Sequence, residues 1–230
     1  MSKKQTLILP RSLDVQAADV LREQILNGTF APGTRLLEIE LAEQFNLSRG
    51  TIRSALQQLT FEGLVVQFPY RGCAVSGLSA QDAWELYTLR GALEGLAARL
   101  VAETITPNKI APLNAALQTL VDAAEQNSWQ AVAKADFSLH QAIVQFANHR
   151  RLQEQYKIVG QQIQLYIISS NALNPNLDSI VEEHQQLVSA ICSGDGAIAE
   201  QIARDHSSDG KALVEHLQTL EQQNQESFHD

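Results

Sequence analysis

PGTRLLEIELAEQFNLSRGTIRSALQQLTFEGLV, residues 32–65, holds two short amphipathic segments with almost nothing between them. Pro32-Gly33 makes a turn. Ile39, Leu41, Ala42 and Phe45 then fall on one side of a helix over 38–45. Asn46-Leu47 leaves room only for a tight connection, and Ser48 is a good N-cap for a second helix. That helix has Ile52, Ala55, Leu56 and Leu59 on its buried face, and Gly63 closes it. Its opposite, N-terminal side carries Ser48, Arg49, Gly50, Thr51 and Arg53.

Working outward, a further helix precedes this pair. Ser12 or Asp14 caps it, Ala18, Leu21 and Ile25 recur at helical spacing, and Asn27-Gly28 ends it. Two strand-like runs follow, Leu64–Phe68 and Cys73–Ser76, joined by Pro69-Tyr70-Arg71-Gly72 as a hairpin tip. Helix, helix, tight turn, helix, hairpin is the order of a winged helix-turn-helix over residues 9–77, with residues 1–8 as a loose arm. Its last helix would enter the DNA major groove. Backbone amides and hydroxyls at a helix N-terminus suit phosphate, and arginine can take a guanine edge with two hydrogen bonds. Gly50 costs the helix roughly 1 kcal/mol relative to alanine but lets the backbone come close to a ligand. A solvated helix face is the plainer reading of the same residues.

From about residue 79 the pattern becomes helical only. Segments near 79–103, 106–126, 129–148, 150–171, 177–193 and 196–222 are each amphipathic, and the Gln/Glu-rich stretch 223–230 reads as a frayed tail. The fold class is therefore mainly α: a winged helix-turn-helix followed by an antiparallel bundle of six, or seven, helices over 79–222. Charge divides at the same place. The net −9 separates into eight Lys/Arg against seven Asp/Glu in residues 1–76, and nine against nineteen in 77–230. The acid lies in the second part, so the first can approach phosphate. At 44% apolar residues the chain can bury a core. It has no apolar run near the roughly 18 residues of a membrane span. The opening MSKKQTLILP is too short in apolar residues for a secretory signal, and Cys73 and Cys192 form no framework, so a cytoplasmic protein is expected.

Four polar residues interrupt the bundle's apolar stripes. Asp136 and His140 fall among Trp129, Val132, Ile143 and Ala147. His184 falls among Ile180, Leu187 and Ile191, and His206 among Ile198, Ile202, Leu213 and Leu217. A carboxylate and three imidazoles buried without partners cost several kcal/mol. A divalent metal would pair all four, and the donor set suits zinc or nickel better than magnesium or calcium. A hydrogen-bonded cluster without metal accounts for them as well. His149, His216 and His229 have weaker claims. Arg90 has Glu94 four residues on, the spacing of an ordinary surface pair worth about 0.3–0.5 kcal/mol. Such a metal with open positions could activate water in a hydrolase. No additional general base is evident near these residues, and a DNA-reading head has no role in turnover, so an enzyme is not expected.

VLREQILNG, the stretch PGTRLLEIELAEQFNLSRGTIRSALQQLTFEGLV and RGCAV together resemble the DNA-binding domain of GntR-family transcription regulators. The resemblance implies contacts to DNA from Arg35, Ser48, Arg49, Thr51 and Arg53, with Arg71 and Gly72 at the wing. Gly50 stands where proline or threonine is common, and Ser54 where glutamate is frequent. ADFSLHQAIVQFANHRRL and EEHQQLVSAICSGDGAIAEQIARDH resemble the metal-bearing helices of the FCD ligand-binding domain of the FadR subfamily, and six helices point to its VanR-like branch. By that resemblance Asp136, His140, His184 and His206 are metal ligands, and Arg90, in its RxxxE context, holds an effector carboxylate; Gln161 and Gln164 could add polar lining. The resemblance implies a homodimer on a near-palindromic operator, in most cases a repressor released by a small organic acid.

Overall fold

The computed structural model describes residues 11–69, 71–77, 79–171, 176–207 and 210–226. Its contacts divide the chain into two compact units, Met1–Ser76 and Gly77–Asp230. In the first unit the order is α1 (Leu13–Leu26), β1 (Arg35–Leu36), α2 (Glu38–Phe45), α3 (Arg49–Phe61), β2 (Val65–Phe68) and β3 (Gly72–Val75). Leu21, Leu36, Ile52, Leu56, Leu59 and Leu64 are each at most 2% exposed. Burial of such side chains stabilises by roughly 1.5–3 kcal/mol apiece, enough to fix three short helices that would not persist alone.

The turn between α2 and α3 is made by Asn46, whose φ of 51° closes α2 in the left-handed conformation. Asparagine tolerates that conformation better than most side chains do. Leu47 N then donates to Ala42 O at 2.9 Å, and Ser48 caps α3 by accepting from Thr51 N. Arg22 on α1 reaches Glu62 at the end of α3 through two 2.7 Å hydrogen bonds, which hold the outer two helices in register.

Strand β3 lies between β1 and β2, antiparallel to both, with Arg35 opposite Ala74 and Val65 opposite Val75. The sequence pattern does not reveal β1: two residues beside a turn have no alternation to detect. It also puts Ile39 on the buried face of α2, where Ile39 is in fact 54% exposed. Only Leu41 and Ala42 of α2 are buried. Ser12 is the N-cap of α1, without a capping hydrogen bond to its side chain. Of the expected hairpin tip, Tyr70 lies outside the described residues, as do the arm 1–8 and His229.

The second unit contains α4 (Ala80–Glu103), α5 (Pro107–Glu125), α6 (Trp129–Phe146), α7 (Arg150–Asn171), α8 (Leu177–Cys192), α9 (Gly196–His206) and α10 (Gly210–Glu226). The single helix expected over 196–222 is thus two, with α9 ending at His206 and α10 beginning at Gly210. Unbroken apolar spacing across 198–217 conceals the break. Ile198, expected on that stripe, is 52% exposed, and α10 runs on to Glu226, into the segment read as a frayed tail. The main core joins Val101, Leu113, Leu139, Ile143, Ile163, Tyr166, Leu187 and Ile191. Helix α9 approaches α4 closely: a Cβ on Gly95 would come within 3.0 Å of Arg204 Cγ, and one on Gly91 would be in ordinary contact with Ser207 Cβ at 3.4 Å. That approach carries His206 toward the centre of the bundle.

Candidate metal centre and nucleic-acid interface

Asp136 and His140 sit one turn apart on α6, His184 sits mid-way along α8, and His206 ends α9. The fold brings all four together. Nε2 of His140 lies 3.2 Å from Nε2 of His184 and 3.1 Å from Nε2 of His206. Oδ1 of Asp136 lies 3.4 Å from Nε2 of both His140 and His184. Asp136, His140 and His184 are each at most 3% exposed.

For His184 and His140 the far side of the ring shows which nitrogen holds the proton. Nδ1 of His184 is 2.7 Å from the Ile180 carbonyl, which can only accept, so Nδ1–H donates and Nε2 carries the lone pair. Nδ1 of His140 is 2.9 Å from Glu94 Oε2, and the same assignment follows. Nδ1 of His206 faces Glu183 Oε2 at 3.5 Å. Carboxylate or carbonyl behind each imidazole is the usual arrangement around metal-ligating histidines. The Nε2 atoms of His140 and His184 therefore face each other as acceptors, with Nε2 of His206 beside them, which is unfavourable unless a cation or a shared proton lies among them. The three imidazoles are grouped closely enough to hold one ion, and nitrogen donors with one carboxylate oxygen suit a late divalent transition metal.

Electrostatics point the same way. Burial disfavours charge on His206, and the neighbouring His184 and His140 add to this, so its pKa is well below the ordinary value. Burial likewise lowers His140, against the pull of Glu94. His184 alone is raised: burial opposes, but Asp136 outweighs it. Three protonated rings cannot coexist here, and neutral imidazole is the ligating form.

Arg90 and Glu94 are not a surface pair. They are 5% and 3% exposed, with Arg90 Nε donating to Glu94 Oε1 at 3.0 Å and Nη2 lying 3.9 Å from Asp136 Oδ1. Tyr156 O–H donates to the same Glu94 oxygen at 2.8 Å. Burial alone would push the Glu94 carboxyl up, yet Arg90 and His140 hold it at about 2. Asp136, buried as deeply, is kept well below the usual carboxylate range by His184, His140 and Arg90. Nη2 of Arg90 and Oε1 of Gln161 are buried without a hydrogen-bond partner among the described residues. Glu94 and Tyr156 are members of this cluster that the sequence pattern does not disclose. The i, i+4 spacing of Glu94 from Arg90 is visible in the sequence, but which face of α4 is buried is not. His149 instead accepts from Leu152 N at the start of α7, and His216 is exposed.

In the first unit Arg35, Ser48, Arg49, Arg53, Arg71 and Gly72 are exposed and Thr51 is half-buried. Ser48 and Thr51 are also bonded to each other, Oγ to Oγ1 at 2.8 Å. An open cleft of about 450 Å³ lies between the starts of α1 and α3, lined by Leu13, Asp14, Ser48, Gly50, Thr51 and Ser54. Glu38, which nothing in the sequence pattern singles out, holds Arg53 by two hydrogen bonds of 2.8 and 2.7 Å.

The family model of the bacterial regulatory proteins of the gntR family matches residues 13–75, and that of the FCD domain matches residues 85–209. The HTH-type transcriptional regulator YdhC of Bacillus subtilis is 26% identical over 90% of this chain and 93% of its own length. The HTH-type transcriptional repressor RspR of Escherichia coli is 26% identical over 91% of this chain and 90% of its own. A GntR transcriptional regulator from Rhodococcus sp. RHA1 shares the fold, with a TM-score of 0.75, 24% identity, and coverage of 89% of this chain and 98% of that one. With the DNA-binding and FCD models each matched in its own unit, and full-length relatives that are regulators rather than enzymes, the chain belongs to the GntR family of bacterial transcription regulators, among those that carry an FCD domain.

Proposed function

We propose that this regulator is a metal-dependent sensor of a small organic acid, a repressor that binds a near-palindromic operator as a homodimer and acts in the cytoplasm. Among the described residues no helix is long and apolar enough to cross a membrane. The observation that supports the sensing half is the convergence of three imidazole Nε2 atoms with Asp136 Oδ1 in the buried middle of the bundle. Asp136, His140, His184 and His206 would hold the ion, zinc or nickel by donor type. When bound, it would supply a positive centre with positions open to an oxygen ligand. Arg90 would take the other end of the effector, since a guanidinium stays charged when buried and offers paired donors. At the other unit, Arg49, Arg53, Ser48 and Thr51 would meet DNA from the start of α3, with Arg35, Arg71 and Gly72 flanking. The seat for phosphate is the helix N-terminus itself.

Elemental analysis and calorimetry test the sensing half together. Purified protein should contain about one equivalent of metal per chain. Titration of a panel of small carboxylates should show tighter binding to metal-loaded than to chelated protein. Metal and effector affinities should rise by the same factor, as linkage requires. Equal effector affinity in two samples of equal helicity would make the metal structural at most. Metal-free protein with full effector response would favour the alternative, in which a shared proton holds the three imidazoles; His184, raised by Asp136, is the ring suited to carry it.

A further inference from the structure

The DNA-facing side of α3 carries one acid in contact with its arginines, and it comes from α2. Glu38 accepts from Nε of Arg53 at 2.8 Å and from Nη2 at 2.7 Å, a two-toothed pair between residues fifteen positions apart. Its Oε2 is also 3.9 Å from Nη2 of Arg49. Arg53 remains more than half exposed and Glu38 about a quarter, so the pair stands at the surface that α3 presents. Hydrogen bonding to Arg53 lowers the Glu38 pKa below the ordinary value. The carboxylate is therefore charged throughout the neutral range.

A guanidinium has five N–H donors in a rigid fork. Glu38 occupies two, on the Nε edge. Three remain, on Nη1 and Nη2, facing away from the carboxylate. That outer edge is the one that reads the O6 and N7 of a guanine with two parallel hydrogen bonds. A side chain held in the geometry it needs loses less freedom on binding. At the same time the carboxylate offsets the charge of Arg53, and in part of Arg49, toward any phosphate. Attraction to phosphate is the term that supplies non-specific binding.

We propose that Glu38 is a specificity-determining positioning residue: it aims Arg53 at a base and offsets its pull toward DNA of any sequence. The proposal rests on α3 being the helix that enters the groove. The probe is the best-binding duplex selected by the wild-type full chain from a randomised pool, with a scrambled duplex of the same composition as control. Glu38→Gln should weaken binding to the selected duplex and strengthen binding to the scrambled one, so that their ratio falls roughly tenfold. Binding to the scrambled duplex should also become steeper in salt by about one unit of slope. Glu38→Asp, which keeps the charge but withdraws the carboxylate by one methylene, should lower the ratio too. In an Arg53→Ala background Glu38→Gln should change the ratio no further. A ratio unchanged by Glu38→Gln while Arg53→Ala lowers it would reduce Glu38 to a surface ion pair and overturn the proposal. If Arg53→Ala itself leaves the ratio unchanged, the reading of α3 fails and the proposal falls with it. Thermal melting of each variant, expected to match the wild type, keeps folding out of the comparison.

Discussion

Arg49 and Arg53 in the first unit stand in solvent, while Arg90, Glu94, Asp136, His140 and His184 in the second are each 5% exposed or less. Both sets are polar clusters joined by short contacts, but their relation to folding is opposite. An exposed arginine costs little to fold with, and its pair with an acid is screened by water. A buried charge must be matched within the bundle or the bundle does not close. Recognition and stability can therefore be separated in the first unit, whereas in the second the same residues serve both.

The strongest way to break that contrast is to remove Glu94. It accepts from Arg90 and Tyr156 and faces His140 Nδ1, so Glu94→Ala leaves a buried guanidinium with Asp136 at 3.9 Å as its nearest acid. Urea unfolding of the full chain should show a loss of about 3–5 kcal/mol, with metal affinity reduced as the His140 ring loses its anchor. A variant as stable as the wild type would mean that the cluster tolerates an unmatched charge and that the two units do not differ in kind.

Metal supply gives the next largest effect. An ion bound by the native state alone stabilises by about 2.7 kcal/mol at a hundredfold excess over its Kd. The melting temperature of chelated protein should therefore rise on adding zinc or nickel, and His184→Ala should abolish the rise. Two acid transitions should be separable. Metal should leave as pH falls and the imidazoles take up protons, first at His184, which Asp136 raises. Glu94 is lowered to about 2 from an ordinary 4.5, so its contribution is complete above 4.5 and fades as pH falls from there toward 2. A single acid transition, identical with and without metal, would remove the metal from the mechanism of sensing.

The two units are also unequally legible in the sequence. In the first, Ile52, Ala55, Leu56 and Leu59 are the buried residues of α3 that the sequence spacing indicates, because a short helix packed along one side has one apolar face. Asp136, His140, His184 and His206 are visible as interruptions of such faces, since a polar residue on an apolar stripe stands out. Glu94 and Tyr156 do not stand out. Helix α4 is buried along Ala83, Arg90, Gly91, Glu94, Gly95 and Ala98, and small and charged residues there leave no stripe to interrupt. Glu38 escapes notice because its partner is fifteen residues away on another helix, a distance that periodicity does not measure. The break after His206 is hidden because both helices continue one apolar phase.

On the DNA side, Arg49→Ala should leave the unfolding transition in place and weaken binding to the selected duplex by roughly 1–3 kcal/mol if Arg49 reads a base. If it meets only phosphate, binding should fall on every sequence alike and the salt dependence should flatten. Loss of folding in this variant would contradict its exposure and draw the two units closer together in design.

The smallest effect sharpens the contrast most. Ser48 is a polar residue of the side proposed to face DNA that also holds structure together, for its Oγ accepts from Thr51 N at 3.1 Å and so caps the helix that carries Arg49 and Arg53. Ser48→Ala should cost about 1 kcal/mol, seen in full-chain denaturation. It should also weaken DNA binding, as the first turn of α3 frays and its amides lose their alignment. Ser48→Asp restores the cap, and its negative charge is favourable at a helix N-terminus, so stability should return to the wild-type level. The same charge faces the phosphates that the helix N-terminus would otherwise bind, so DNA binding should be weaker than in Ser48→Ala, most of all at low salt where repulsion is least screened. Stability and binding would then move in opposite directions at one position. If Ser48→Asp instead binds DNA as well as it folds, the start of α3 does not meet phosphate, and the exposed cluster has a purpose other than DNA.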